Sequence, residues 1–374
     1  MVMIMIKGLY IHIPFCDQIC TYCDFCKMVA NDELKIEYMR ALITEMEYFS
    51  DLVANVDTIY IGGGTPSSID RDLLEPLLIE LNNIVDFKKV KEFTFEANPC
   101  DISEELLKLL KKYHVNRISM GVQTVDEKLL KFLRRTHNLE VVNNAVDLIK
   151  QFDFSMNLDF LYAIPGQTID QLNKDLSYIE KFSPSHISYY SLIVEDRTIL
   201  SYLINNHKIA DFSSDLAREF GEVVDKKLDN LGYIKYEFSN YAKPGYESLH
   251  NLHYWNLEEY LGIGLNASSQ FNYTRVKNPK SIKEYIAGTK KNALNMHEIE
   301  DFNPKLEFLL MGLRKVAGIS IKEYEKRIRK PLFEVYPILK KHLKNGLLEI
   351  NDNNLKLSKN GVYLANQVFV DLLE

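Results

Sequence analysis

No apolar run in the sequence reaches the roughly 18–20 residues that a membrane-spanning helix needs. The apolar opening, Met1–Lys7, has neither a basic leader nor a small-residue cleavage site, and it runs directly into Gly-Leu-Tyr-Ile-His-Ile-Pro. It reads as the start of a first strand and not as a secretion signal, so a cytoplasmic chain is expected. Low-complexity tracts and internal repeats are lacking, and there is one tryptophan. No Gly-Lys-Ser/Thr follows the single glycine-rich run, which excludes a Walker-type phosphate loop. Cysteine is scarce too: there are five, four of them between Cys16 and Cys26, with Cys100 alone. A disulfide scaffold would spread its cysteines through a short chain; so tight a group in a chain of 374 residues points to a metal site.

Excess basic charge is also missing. The net charge is −7, and it is uneven: residues 301–374 carry 13 Lys and Arg against 9 Asp and Glu, a net +4. The rest carries 32 against 43, a net −11, which argues against an extended nucleic-acid groove in the main body. No nucleic-acid partner is expected.

Short apolar runs alternate with amphipathic segments from about residue 8 to 240. The strand-like runs are Leu9–Ile13, Thr58–Ile61, Glu92–Glu96, Arg117–Gly121, Asn157–Leu161 and His186–Leu192. Helical periods fall at Asp32–Leu52, Arg71–Ile84, Ser103–His114, Leu139–Phe152 and Ile169–Phe182, with Asp101 and Glu104 suggesting a capping box for the third. This alternation predicts repeated βαβ units around a parallel sheet, and leaves a partial barrel and a doubly wound sheet open. A helix at Asp211–Leu231 and a strand at Tyr233–Phe238 follow, and residues 240–275 read as loop. Helices at Pro304–Lys315, Ile321–Arg329 and Leu332–Asn345, then two short strands about Asp352-Asn353-Asn354, predict a winged-helix-like close. The expected divisions are 1–235, 236–300 and 301–374.

The chemistry centres on Cys16-x3-Cys20-x2-Cys23, just after the first strand. Three thiolates on one loop can each hold one corner of a cuboidal iron–sulfur cluster and leave the fourth iron open. Structural zinc, with Cys26 or His12 as fourth ligand, is the alternative; it usually takes a second paired knuckle, which is absent from the sequence. Gly62-Gly63-Gly64-Thr65-Pro66 follows the second strand, where glycines let a ligand approach the backbone closely.

Cysteines at this spacing after a first strand resemble the radical-SAM superfamily. The text Tyr10-Ile-His-Ile-Pro-Phe-Cys and Tyr22-Cys23-Asp24-Phe25 resembles its oxygen-independent coproporphyrinogen III oxidase-like branch. The resemblance implies a partial (β/α)6 TIM-like barrel with a small C-terminal helical, winged-helix-like domain. It further implies a [4Fe-4S] cluster on Cys16, Cys20 and Cys23, whose open iron takes S-adenosylmethionine (SAM) for reductive cleavage to a 5′-deoxyadenosyl radical. Gly63, Gly64 and Thr65 match the SAM amino-group motif, Glu96 the carboxylate near the ribose, and Gln123, Arg135 and Asp159 further SAM contacts. Arg135 would pair with the SAM carboxylate. Tyr10 and Tyr22 would pack near the cluster.

Within that branch, the oxidase resembles CxxxCxxCxC, whereas this chain has Phe25 two residues after Cys23 and Cys26 one later. A one-residue shift reverses side-chain direction in an extended loop. Phe25, with His250-Asn251-Leu252-His253-Tyr254-Trp255, resembles the HemW-type heme chaperones, in which HNxxYW is associated with heme. His250 would be the iron ligand, with Tyr254 and Trp255 offering flat apolar surface. A departure follows: Asn266 and Ser268 replace a glycine and a histidine of the group's usual run. The resemblance implies heme as cargo, client proteins that are respiratory and membrane-associated, and contact with the membrane only through them. It points away from coproporphyrinogen oxidation while leaving SAM cleavage and a homodimer open.

Overall fold

The computed structural model describes residues 5–272, 274–291 and 298–373. Strands β1 (Gly8–Ile13), β2 (Thr58–Gly63), β3 (Glu92–Ala97), β4 (Arg117–Gln123), β5 (Ser155–Tyr162) and β6 (His186–Ser191) run parallel in chain order. The first strand begins at Gly8; residues 1–4 of the expected apolar opening lie outside the described residues. Helices at Arg71–Ile84 and Ile169–Phe182 coincide with the sequence expectation, and the others agree to within a few residues at their ends. Their leucines and isoleucines meet the outward face of the strands in one large core. This is the α/β layering of a partial barrel.

The third of these helices (Glu104–Lys112) is capped differently from the expectation. Ser103 accepts from the Leu106 amide, while the Asp101 carboxylate takes the Ser67 hydroxyl at 2.5 Å. Serine nearer the helix start outcompetes the aspartate, which lies in a preceding 3-10 turn. A true capping box stands instead at Thr168 and Gln171, just after the Pro165-Gly166 turn.

Residues 240–275, expected as loop, are mostly regular. They contain β8 (Asn240–Ala242), a helix Leu249–Trp255, β9 (Tyr260–Ile263), β10 (Ser268–Phe271) and the start of β11 (Thr274–Lys277). Their aromatic and glycine content reflects tight packing and not chain freedom. With β7 (Ile234–Glu237) and β12 (Glu298–Glu300) they extend both edges of the same sheet, in the order β12-β11-β10-β9-β1-β2-β3-β4-β5-β6-β8-β7. The described strands between 234 and 300 thus belong to the same sheet as β1–β6.

A second core, from Phe308 to Leu372, belongs to the C-terminal part. Here β13 (Ile319–Ser320), β14 (Leu348–Asn351) and β15 (Asn354–Leu357) form a separate sheet. The β14–β15 turn places Asp352 and Asn353 at φ 48° and 67°, the two-residue turn suited to a tight hairpin. Pro337 divides the expected 332–345 helix into Leu332–Val335 and Ile338–Lys344. No helix among the described residues is long and apolar enough to cross a membrane.

One buried carboxyl gives the barrel a pH signature. Asp175 accepts from Thr124 Oγ1 (2.9 Å) and the Val125 amide (2.7 Å), while burial pushes its carboxyl up to about 7 from 3.8. A raised folded-state value stabilises fully below the unfolded value and is lost as pH rises through the folded one. The melting temperature of Asp175→Asn, measured relative to wild type, should therefore rise as pH goes from about 4 to about 8. A pH-independent difference would contradict this.

Candidate functional site

Side chains alternate across a strand, so every second residue of β1–β6 points into the barrel. Tyr10, Tyr60, Thr94 and Arg117 lie side by side in register. One step up come Glu96, Ser119, Asn157 and His186, and above them Gly121, Asp159 and Ser188. All of these but Tyr10 and Thr94 line a cavity of about 380 Å³, within the size range of small-molecule sites.

The loop after β1 brings Cys16, Cys20 and Cys23 to the wall of this cavity, together with Tyr22 and Phe25. Met28 and Pro14 tie the loop ends by Cys16 N–H to Met28 O (2.9 Å) and Met28 N–H to Pro14 O (2.7 Å). Thr65 Oγ1 donates to Cys16 Sγ at 3.5 Å, and Arg135 Nη1 to Cys20 Sγ at 3.6 Å. Burial pushes the Cys16 thiol up to about 11 and raises Cys23, so thiolates here call for a cationic partner such as iron. Among the described residues no three His, Cys, Asp or Glu side chains converge on one metal ion. The three thiols border a shared open space, which fits a multi-iron cluster.

The proposed zinc ligands are otherwise engaged. His12 hydrogen-bonds Tyr10 Oη through Nδ1 (2.9 Å) and Cys26 O through Nε2 (2.8 Å). The Cys26 side chain packs against the core and does not line the cavity.

The glycine run follows β2 as expected. Gly63 has φ +121°, and a Cβ on Gly64 would sit 2.6 Å from Phe15 O, so the turn can press against the cysteine loop only with glycine there. Gly63, Gly64 and Thr65 line the cavity. Glu96 accepts from Tyr60 Oη (2.7 Å) and the Gly63 amide (3.1 Å), and burial pushes its carboxyl up to about 7 despite both bonds. Asp159, raised chiefly by burial, accepts from Asn157 (2.8 Å) and Ser119 (3.3 Å). Gln123 ends β4 at φ 67°, beyond a register shift, and Gly121 leaves room beside it for the Arg135 fork. A left-handed non-glycine residue at a strand end is a mark of functional sites. Arg135 Nη2 donates to Asn98 Oδ1 (2.6 Å) and Gly121 O (2.8 Å), and the neighbouring Arg134 is exposed.

Two sets of expected residues sit elsewhere. Tyr10 lies beneath the cavity wall with its ring 6.1 Å from Tyr60. His250 is at the opposite end of the barrel, 1% exposed, beside the first residues of β1 and β2. Its ring bonds Thr58 Oγ1 (2.8 Å) and Tyr254 Oη (2.8 Å), and burial lowers it to about 3. Both ring nitrogens are thus hydrogen-bonded within the protein. Trp255 points to the C-terminal part, where Arg314 lies 5.4 Å from its ring. The HNxxYW helix is a stopper: the Glu92 carboxylate accepts from the amides of Leu249 (2.9 Å) and His250 (3.1 Å), capping the helix start. Asn266 lies in the β9–β10 turn and Ser268 opens β10, both outside the cavity lining.

Sequence reasoning missed Tyr60, Asn98, Arg117, Asn157, His186, Ser188 and Asn251, all lining the cavity. The signal was present as polar residues at every second position of β4, β5 and β6.

Comparison with known proteins agrees with this arrangement. The Radical SAM superfamily profile matches residues 10–179, and that of the HemN C-terminal domain matches 305–364. The heme chaperone HemW of Lactococcus lactis subsp. lactis (strain IL1403) is 36% identical over 367 residues, 97% of this chain and 96% of its own. Heme chaperone HemW of Bacillus subtilis (strain 168) is 35% identical over 371 residues, 97% and 98% of the two chains. The solved coproporphyrinogen III oxidase (HemN) from Escherichia coli, described as a radical SAM enzyme, shares the fold with a TM-score of 0.83 at 21% identity, covering 98% of this chain and 90% of its own. With the three cysteines, the glycine turn and the strand-end polar residues gathered at one cavity, the chain belongs to the radical SAM superfamily and, within it, to the HemW group.

Proposed function

We propose that this protein is a heme chaperone: it binds heme and passes it to client proteins, on a scaffold that holds a [4Fe-4S] cluster and SAM. The observation that carries the reading is Phe25. It stands 68% exposed at the cavity wall beside Cys23, where the oxidase pattern has a cysteine, while Cys26 is turned toward the core. The full-length similarity to proteins named heme chaperone HemW supports the same reading.

In this reading Cys16, Cys20 and Cys23 hold the cluster, which when loaded supplies an electron for SAM cleavage. Thr65 and Arg135 donate toward the sulfurs, stabilising thiolate charge. Glu96 would accept a hydrogen bond from a ribose hydroxyl of SAM, Asp159 and Gln123 would orient its adenosyl part, and the Gly63–Gly64 backbone would leave space for its amino group. The protein acts in the cytoplasm and meets the membrane through its clients, respiratory enzymes among them.

A paired assay tests the proposal. Anaerobically reconstituted protein should bind heme stoichiometrically in an absorbance titration and should yield no protoporphyrinogen IX from coproporphyrinogen III. Turnover of coproporphyrinogen III would replace the chaperone reading with that of an oxidase.

A further inference from the structure

One run of hydrogen bonds crosses the barrel interior from the start of the HNxxYW helix to Asp159. Ser248, whose side chain caps that helix, donates its amide to Tyr236 Oη at 3.1 Å. Tyr236 Oη meets His186 Nε2 at 2.7 Å, and His186 Nδ1 meets Asn157 Oδ1 at 2.6 Å. Asn157 Nδ2 donates to Asp159 Oδ1 (2.8 Å) and to Ser119 Oγ (2.8 Å). Ser119 Oγ gives its own proton to Asp159 Oδ2 (3.3 Å). Asn157 and His186 are both buried, where an unmade hydrogen bond is costly.

The polarity of this run follows from its carboxylate end. Both Asp159 oxygens receive donors and the Arg117 charge adds to them, which favours the ionised form against burial. A carboxylate only accepts, so Asn157 turns its NH2 group to Asp159 and its oxygen to His186. Ser188 Oγ also donates to that oxygen (3.3 Å), which fills every donor and acceptor site of the amide. His186 Nδ1 must then carry the ring proton. Burial, aided by the Arg117 charge, holds this imidazole well below its ordinary value, so it is neutral and Nε2 accepts from Tyr236. The Tyr236 proton is spent there, and Oε2 of the next residue, Glu237, is left without a donor among the described residues. In the other tautomer the Asn157 amide would have to flip and set its oxygen against the Asp159 carboxylate.

From this geometry we infer that His186 is a positioning residue for SAM: as its Nδ1–H tautomer it fixes the Asn157 amide, and the amide presents Asp159 as an acceptor to the adenosyl part. Tyr236, held by the Ser248 amide, sets that tautomer. The start of the HNxxYW helix therefore reaches the SAM site through four hydrogen bonds. The inference rests on the SAM role proposed for Asp159.

Two measurements on the reconstituted protein test it. Proton–nitrogen correlation NMR of protein with isotope-labelled histidine, the His186 signals being those lost in His186→Asn, should place the ring proton on Nδ1. A proton on Nε2 overturns the inference. Equilibrium dialysis then gives SAM affinity. His186→Phe should weaken SAM by about tenfold, and Asp159→Ala by about as much or more. In the Asp159→Ala background His186→Phe should cost nothing further, because it acts through that carboxylate. His186→Asn, whose amide nitrogen can stand where Nδ1 stood, should restore most of the affinity, which a space-filling role would not predict. Wild-type affinity in His186→Phe, or a loss that adds in full to that of Asp159→Ala, overturns the inference. Tyr236→Phe keeps its ring and should let the Nε2–H tautomer appear while weakening SAM, so a poorly folding His186→Phe leaves the test decisive. Absence of SAM binding in wild type refutes the SAM scaffold itself, while the tautomer still decides how His186 sets Asn157.

Discussion

Replacing Cys16, Cys20 and Cys23 together by alanine is expected to remove the cluster completely while leaving the barrel folded. The three side chains lie on a loop and are only partly buried, so their loss costs little packing. Each is one corner ligand, and thiolate ligation is what holds such clusters. After anaerobic reconstitution, iron and acid-labile sulfide should fall to background, and SAM binding by equilibrium dialysis should fall with them. Cys26→Ala and Cys100→Ala should retain both, since Cys26 packs against the core and Cys100 is exposed. Loss of metal in Cys26→Ala would revive the zinc alternative.

The second large effect is on stability. His250→Ala should lower the unfolding free energy by roughly 2–4 kcal/mol, because it orphans the buried Thr58 hydroxyl and the part-buried Tyr254 hydroxyl and opens a void. Denaturant titration measures this. Heme stoichiometry of the fraction that remains folded should match wild type. That expectation reverses the one drawn from the motif, in which His250 ligates the iron. Heme loss without destabilisation would restore the ligand role.

The contrast shows where sequence was informative. The six parallel strands and most helices were legible because apolar period and turn chemistry are local. The cluster ligands were legible through their spacing, and the glycine turn, Glu96, Gln123, Arg135 and Asp159 through the family resemblance; all of them reach one cavity. HNxxYW was visible as a motif, but its geometry was not. Whether a histidine faces a ligand or a threonine depends on Thr58, which is 192 residues away, and no local pattern encodes that. The loop expectation for 240–275 failed for a related reason. The strands there are short and gain their hydrogen bonds from distant edges: β9 on β1, β8 on β6. Arg117 escaped notice because one charged residue at a strand start is ordinarily solvated; only the folded barrel makes it buried.

The helix that stoppers the barrel also decides which end is left for chemistry. Ser248, His250 and Arg117 are all nearly inaccessible to solvent, and the cysteine loop stands at the other end. A strand barrel has two ends, and here one is spent on hydrogen bonds among His250, Thr58, Tyr254 and Glu92, so the polar groups free to meet a ligand are gathered at the other.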